Sequence, residues 1–236
     1  TQGSHPDGTG VSSLDQILGE QQTIGPEQGL FLEKTWRLHP DITRFNSELF
    51  YESKLTSQER CADQNTTSEG PFSGTGLRYV SVDHHGNQSS SIEEAEVVKT
   101  IVGQLLGSNM QWTGRTGATK PVTLEDIIII APYNAQVFEI QQRIPHAPVG
   151  TVDKFQGQEA AIAIFSMATS SHADAPRGME FLYSSNRLNV AISRAKCMAI
   201  LVSSPQIFEV ECKTPRQMKL ANAFCRYLEL AEIIEI

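Results

Sequence analysis

Four consecutive isoleucines, Ile127 to Ile130, constrain this chain more than any other stretch. β-Branched side chains are stiff at χ1 and suit a pleated backbone. An apolar run without alternation leaves no side for water, so it predicts a central strand covered on both faces. Pro132 ends the run, and Asn134 opens a helix whose buried side carries Val137, Ile140 and Ile144. Such a strand needs a layer above and a layer below.

The rest of the chain supplies both. Residues 1–10 read as loop, and Ser12 or Ser13 can cap a short helix through Leu18. Glu20 to Gln28 is a polar connector, and Gly29 to Glu33 reads as a short apolar strand. Pro40 and Asp41 open a helix to about Tyr51, with Ile42, Phe45, Leu49 and Phe50 close to one face. Lys54 to Gly76 has little periodicity and reads as a long surface loop. Leu77 to Val82 is a strand. Ser91, three residues before Glu94, is a capping-box signature for a helix from Ile92 to about Leu106. Ala95, Val98, Ile101, Val102 and Leu105 form its inner stripe, and Glu93, Glu94, Glu96 and Lys99 its expected solvated face. Gly107 to Val122 reads as a glycine-rich loop, Pro148 to Val152 as a short strand and Ala160 to Met167 as a buried one. After a polar, mobile-looking segment from Ala168 to Met179, Phe181 to Ala195 contains a helix capped near Ser185, with Arg187 and Arg194 seven residues apart and so on roughly one face. Cys197 to Ser203 is a last buried strand, and Met218 to Leu230 a closing helix with Leu220, Ala223, Phe224, Tyr227 and Leu228 inward. Strands alternating with helices predict an α/β domain, its mostly parallel sheet covered by helices on both faces.

Charge restricts what this domain can touch. A net charge of −8 argues against a protein that coats nucleic acid through a general basic surface, so any contact with a strand must be local. Cys61, Cys197, Cys212 and Cys225 form no C-x-x-C pair and have no histidine at zinc spacing; they read as reduced thiols, a cytoplasmic trait, and no metal site is expected. No apolar run has the length of a membrane span, and the first residues lack the regions of a signal peptide. The chain starts without Met, which suggests a piece of something longer.

The densest chemistry lies in Thr151 to Glu159, T-V-D-K-F-Q-G-Q-E, a loop between two predicted strands. With Thr35 to Pro40, T-W-R-L-H-P, and Asn186 to Lys196, N-R-L-N-V-A-I-S-R-A-K, it resembles in order and spacing the motifs of the C-terminal RecA-like domain of superfamily 1 helicases, of the AAA_12 type, in the branch with the Upf-like and Dna-two-like enzymes. The resemblance covers roughly Gly29 to Ser204. It implies a RecA-like, P-loop NTPase type of sheet in the second motor domain of an ATP-dependent DNA helicase, spanning residues 29–236, with 1–28 as connector from a first motor domain. The wording around T-W-R-L-H-P and Q-G-Q-E is closest to bacterial members, some of which carry a fused RecB-like nuclease. An RNA helicase of the same branch, or a nucleic-acid-binding module without catalysis, is the alternative.

The resemblance also implies roles. Arg194 matches the arginine finger and Arg37 a second γ-phosphate contact; a guanidinium fork suits phosphate oxygens. Trp36 stands where the family stacks an aromatic, usually tyrosine, on adenine, although a lone tryptophan is more often core. Glu159 matches the carboxylate that accepts from ribose hydroxyls, Gly157 lets the backbone approach the nucleotide, and Gln158 approaches the phosphates. Thr151 and Lys154 lie where the family grips single-stranded DNA, while Asp153, without a proton to donate, holds the loop. In A-P-Y-N-A-Q, Asn134 meets the strand and Tyr133 either stacks on a base or seals the strand end. His39 reads as a helix-start residue and Arg187 as half of a surface ion pair. The chain lacks G-x-x-x-x-G-K-[ST] and a strand-terminal Asp-Glu pair, so it has no P-loop of its own. ATP with Mg²⁺ would be shared with an N-terminal RecA-like domain that holds the metal, and this domain alone would hydrolyse none.

Overall fold

The computed structural model describes residues 17–19 and 21–236. The cap expected at Ser12 or Ser13 lies outside the described residues. The central sheet has six parallel strands in the order β11-β4-β10-β9-β7-β8. These are β4 (Gly76–Ser81), β7 (Ile127–Ile130), β8 (Val149–Gly150), β9 (Ala160–Ser166), β10 (Ala195–Ser203) and β11 (Glu232–Ile233). A parallel sheet thus lies between two helical layers, the α/β arrangement that the alternation of strands and helices predicts.

The isoleucine run is an inner strand, as its composition predicts. Ile127 and Ile129 enter one core with Val98, Ile101 and Ile140; Ile128 and Ile130 enter the other with Ile42, Phe45 and Leu188. Successive side chains leave a strand on opposite faces, so one tetrapeptide binds both layers, each buried isoleucine stabilising by about 1.5–3 kcal/mol. One layer holds α2 (Ile92–Gly107) and α3 (Asn134–Arg143); the other holds α1 (Pro40–Phe50), α5 (Ser185–Ile192) and α6 (Pro215–Leu230). A four-residue helix, α4 (Met179–Leu182), precedes α5. No helix among the described residues is long and apolar enough to cross a membrane.

Several expectations are corrected. No strand forms from Gly29 to Glu33: the chain leaves a turn closed on Gly25 and pairs only at β1 (Lys34–Thr35) with β2 (Thr56–Ser57), leaving Leu30 and Leu32 exposed. The two expected loops, Lys54 to Gly76 and Gly107 to Val122, contain β3 (Asn65–Thr67), β5 (Gln111–Thr113) and β6 (Thr119–Pro121), which form a second, antiparallel sheet in the order β3-β5-β6. These strands are three residues each and Thr-rich, so no periodicity marks them. β11 was likewise too short to stand out. In the segment after β9, Ala168, Thr169 and Ser170 are buried, with Thr169 and Ser170 bonded to Gln88 and Asn87.

Glu94 is the sharpest departure. Instead of facing water it is fully buried, its Oε1 2.9 Å from His84 Nε2 and its Oε2 accepting from Ser166 Oγ at 2.6 Å and Ala168 N at 2.9 Å. Ser91 caps α2 as expected, its oxygen accepting from Glu94 N, but the Ser91 N–H goes to Gln136 Oε1 rather than back to a glutamate. The cap expected near Ser185 is Ser184, whose side chain accepts from Arg187 N at the start of α5. That helix ends at Ile192, so helical spacing never reaches Arg194.

Candidate functional site

Among the described residues a cleft opens at each end of the sheet's strands. The loop 151–159 leaves the C-terminal end of β8, which pairs beside the end of β7, and arrives at the N-terminal end of β9. It therefore crosses the whole sheet, pinned midway by buried Val152 and Phe155 in a 3-10 turn.

At the N-terminal ends of β9 and β10 lies a cleft of about 900 Å³, lined among others by Trp36, Arg37, Glu159, Arg194 and Lys196. Three stretches far apart in sequence meet here. Arg37 hydrogen-bonds Glu159 Oε2 through Nε and Ser193 O through Nη1 at 3.1 Å. Lys196 Nζ holds the other Glu159 oxygen at 3.0 Å. Burial pushes the Glu159 carboxyl up, but the hydrogen bonds from Arg37 and Lys196 win and hold it below the usual carboxylate range. Arg194 donates to the carbonyls of Val190, Phe155 and Gln158 at 3.1–3.3 Å, so its head is aimed by backbone. Burial, and then the charge of Arg37, lower its pKa. With Lys34 and Arg115, five basic side chains stand against the single carboxylate of Glu159 in this lining, a local excess of positive charge in an acidic chain. Such a cleft suits a polyanion.

Local backbone explains the aim. β10 carries one extra residue against β9 between Ala195 and Met198, a bulge that turns Lys196 toward Glu159. Gln64 Nε2 donates to Arg37 O at 2.7 Å and Lys196 O at 3.2 Å, tying both segments together. His39 caps α1 through Nδ1, which accepts from Asp41 N, and burial lowers its pKa. Trp36 is 63% exposed, which removes the core reading for it. Arg115, at the tip of the β5–β6 hairpin, sits 5.9 Å from its ring centroid and donates to Trp36 O.

Gly157 and Gln158 are not part of this lining. Gly157 has φ +82° with open space where a Cβ would be, so conformation rather than close approach requires glycine. The Gln158 side chain turns back to Lys154 O at 3.2 Å and gives the cleft's Arg194 only a carbonyl.

The second cleft, about 320 Å³, opens at the C-terminal ends of β7 and β8 and is lined by Tyr133, Asn134, Thr151, Asp153, Arg177, Phe181 and Arg187, with Pro132 and Val152. Lys154 is not among them. Its ammonium folds back to Val149 O at 2.7 Å, over Gly150, where any Cβ would lie 2.3 Å from Lys154 Cδ. Tyr133 is 7% exposed with its ring packed 5.2 Å from that of Phe181, which makes it a strand-end seal rather than a base-stacking surface. Arg187 makes no ion pair among the described residues; it stacks on Phe181. Arg187 and Arg194 thus serve different clefts. Among the described residues no group of three His, Cys, Asp or Glu side chains is placed to hold a metal ion, and the four cysteines are free thiols.

Sequence reasoning missed Lys196, Arg115, Arg177 and Phe181. Lys196 stood at the end of a quoted motif, and only the bulge reveals its direction; the others lie in stretches without periodicity.

Comparison with known proteins fits this geometry. The chain is 28% identical over 202 residues to the helicase sen1 of Schizosaccharomyces pombe, covering 78% of this chain and 11% of that protein. It is 30% identical over 209 residues to the DNA polymerase alpha-associated DNA helicase A of the same yeast, covering 79% of this chain and 29% of that one. The chain thus spans less than a third of the length of either relative. A solved C-terminal domain of a possible DNA helicase from Lactobacillus plantarum aligns over 85% of this chain and 99% of its own at 14% identity and TM-score 0.42, a likeness too loose to argue from. The AAA domain family AAA_12 matches residues 11–206, most of the chain, and with helicases as its relatives the chain belongs to that family.

Proposed function

We propose that this chain is the second motor domain of an ATP-dependent DNA helicase, contributing half of a composite ATPase site. The convergence of Arg37, Glu159, Arg194 and Lys196 in one basic cleft beneath an exposed Trp36 carries the reading. A nucleoside triphosphate suits that set: an aromatic face for the base, guanidiniums for the phosphates, a carboxylate for ribose hydroxyls. ATP supplies the phosphoryl group whose transfer to water drives the motor, and Mg²⁺ would come with the domain that holds the P-loop. This chain's own part is to orient the polyphosphate and set positive charge against it. Arg194, already aimed by three carbonyls, would meet the γ-phosphate with little reorganisation; such a finger is worth ~10³ to 10⁵ in rate. Arg37 would exchange Glu159 for phosphate, freeing the carboxylate for the ribose. Thr151 and Asn134, across the loop in the second cleft, would touch the DNA strand. DNA is favoured because one relative bears the name of a DNA helicase.

The test is ATP turnover by the polypeptide that contains this domain, with and without single-stranded DNA or RNA, for wild type and Arg194→Ala. The expected result is turnover stimulated by DNA and reduced at least 10³-fold in the variant, with folding unchanged. Stimulation by RNA alone would move the substrate to RNA. Normal turnover by the variant would refute the placement of the nucleotide.

A further inference from the structure

The loop 151–159 puts Thr151 in the second cleft but withdraws Lys154 from it. Positive charge arrives there from elsewhere. Arg177 Cζ lies 3.9 Å and Arg187 Cζ 3.8 Å from the centroid of the Phe181 ring. At that distance each guanidinium lies flat over a face, and two can do so only on opposite faces, so the ring is sandwiched.

The stack uses the planes of the guanidiniums and leaves their N–H edges. Among the described residues Arg177 donates no side-chain hydrogen bond, Arg187 gives one long bond to Phe181 O at 3.4 Å, and neither forms an ion pair, in a chain with 27 acidic residues. Asp153 is the only carboxylate of the lining. The other polar groups there are donors or end in donors: the Thr151 hydroxyl, the Asn134 amide and the first turn of α3, whose N-cap Tyr133 supplies no side-chain acceptor. Burial and then the neighbouring Arg177 lower the pKa of Arg187, and Asp153 opposes them without prevailing, so an anion entering the cleft meets charge that is not fully compensated.

We propose that the Arg177–Phe181–Arg187 stack is a phosphate grip, which seats a backbone phosphate of single-stranded nucleic acid beside the ring, against the N–H edges of the two guanidiniums, with Thr151 and Asn134. This rests on the reading of the chain as a nucleic-acid motor domain and adds to it the residues that hold the strand. Rigid stacking on Phe181 holds the forks in place, so little side-chain entropy is lost on binding. A cleft of 320 Å³ takes a phosphate and its sugar, not a base stack.

The experiment is fluorescence anisotropy of a labelled oligothymidylate with this chain across a salt series, for wild type, Arg177→Ala, the double variant R177A/R187A and the double lysine variant R177K/R187K. Each phosphate contact to a single strand contributes about 0.7 to the slope of log K against log salt. The double alanine variant, which gives up that one phosphate, should therefore lose about 0.7 from the slope, so that between 50 and 200 mM salt the wild type weakens about 2.6-fold more than the variant. Arg177→Ala, at an exposed position, should lose about half as much with an unchanged Tm, and the lysine variant should restore the slope. ATP affinity should not move, because the basic cleft at the opposite ends of the strands is separate. Equal affinity and slope in wild type and double variant, or a loss confined to ATP, overturns the assignment. A wild type that binds no oligonucleotide even at low salt overturns the nucleic-acid reading itself, a distinguishable failure.

Discussion

Glu159→Gln isolates the electrostatics of the basic cleft. The substitution keeps shape and removes the one carboxylate that bridges Arg37 and Lys196. All three side chains are partly exposed, at 29%, 39% and 24% for Arg37, Glu159 and Lys196, so each pair stays in the range of surface ion pairs, about 0.2–1 kcal/mol. Together they stabilise the fold by about 1 kcal/mol, which for a domain of this size lowers Tm by about 2–4 °C when lost. Because the folded carboxyl titrates below the unfolded value near 4.3, this contribution is complete above about pH 4.3 and fades as pH falls through the lower folded value. The gap between wild type and variant should thus be open at pH 7 and narrower at about pH 3.5, below the unfolded value. The same ~1 kcal/mol, no longer holding the two cations, should let inorganic tripolyphosphate bind about fivefold more tightly to the variant at low salt. Thermal melts at the two pH values and calorimetric titration with tripolyphosphate measure both. Identical melts at pH 7, or a gap as wide at about pH 3.5 as at pH 7, would refute the bridging role of Glu159.

Trp36→Ala should leave Tm within about 2 °C, since the ring is exposed, while a fluorescent ATP analogue loses roughly 1–3 kcal/mol of stacking, about 5- to 150-fold in Kd; an unchanged Kd would remove the base from this rim. Glu94→Ala should be far more damaging, because His84, Ser166 and the Ala168 N–H each lose a buried acceptor at ~1–3 kcal/mol apiece; a fall in Tm of about 6 °C or more is expected, and a fall under 2 °C would show that water replaces the carboxylate.

Where packing decides, the sequence was legible. Ile127 to Ile130 and the stripe Ala95, Val98, Ile101, Val102 and Leu105 announced buried faces, and those faces are buried. The meeting of Arg37, Glu159 and Arg194 was legible only through the motifs, because no periodicity relates residues 122 positions apart. Three kinds of feature escaped. Short Thr-rich strands such as β3 and β6 are held by backbone bonds and carry no apolar signal. Glu94 stands at helical spacing with the buried stripe, four residues before Val98 and seven before Ile101, but a carboxylate reads as solvated, and only its bonds to His84, Ser166 and the Ala168 N–H make its burial tolerable. Lys154 and Lys196 exchanged expectations: a 3-10 turn folds one away while a bulge brings the other in, and neither is visible in residue type.

The two ends of the loop 151–159 differ in stiffness. At Thr151 it hangs from β8, a two-residue edge strand joined to β7 by the bonds from Ile129 N to Pro148 O and Ala131 N to Gly150 O. At Glu159 it enters β9, seven residues deep in the sheet, with Ala160 N already bonded to Arg194 O. Such a connection behaves as a spring built into a wall: displacement at the soft end is absorbed by bending near β8, while displacement at the fixed end moves the whole loop. A displacement imposed at Glu159 therefore reaches Thr151 in larger proportion than one imposed at Thr151 reaches Glu159, although the coupling free energy between the two ends is the same in either direction.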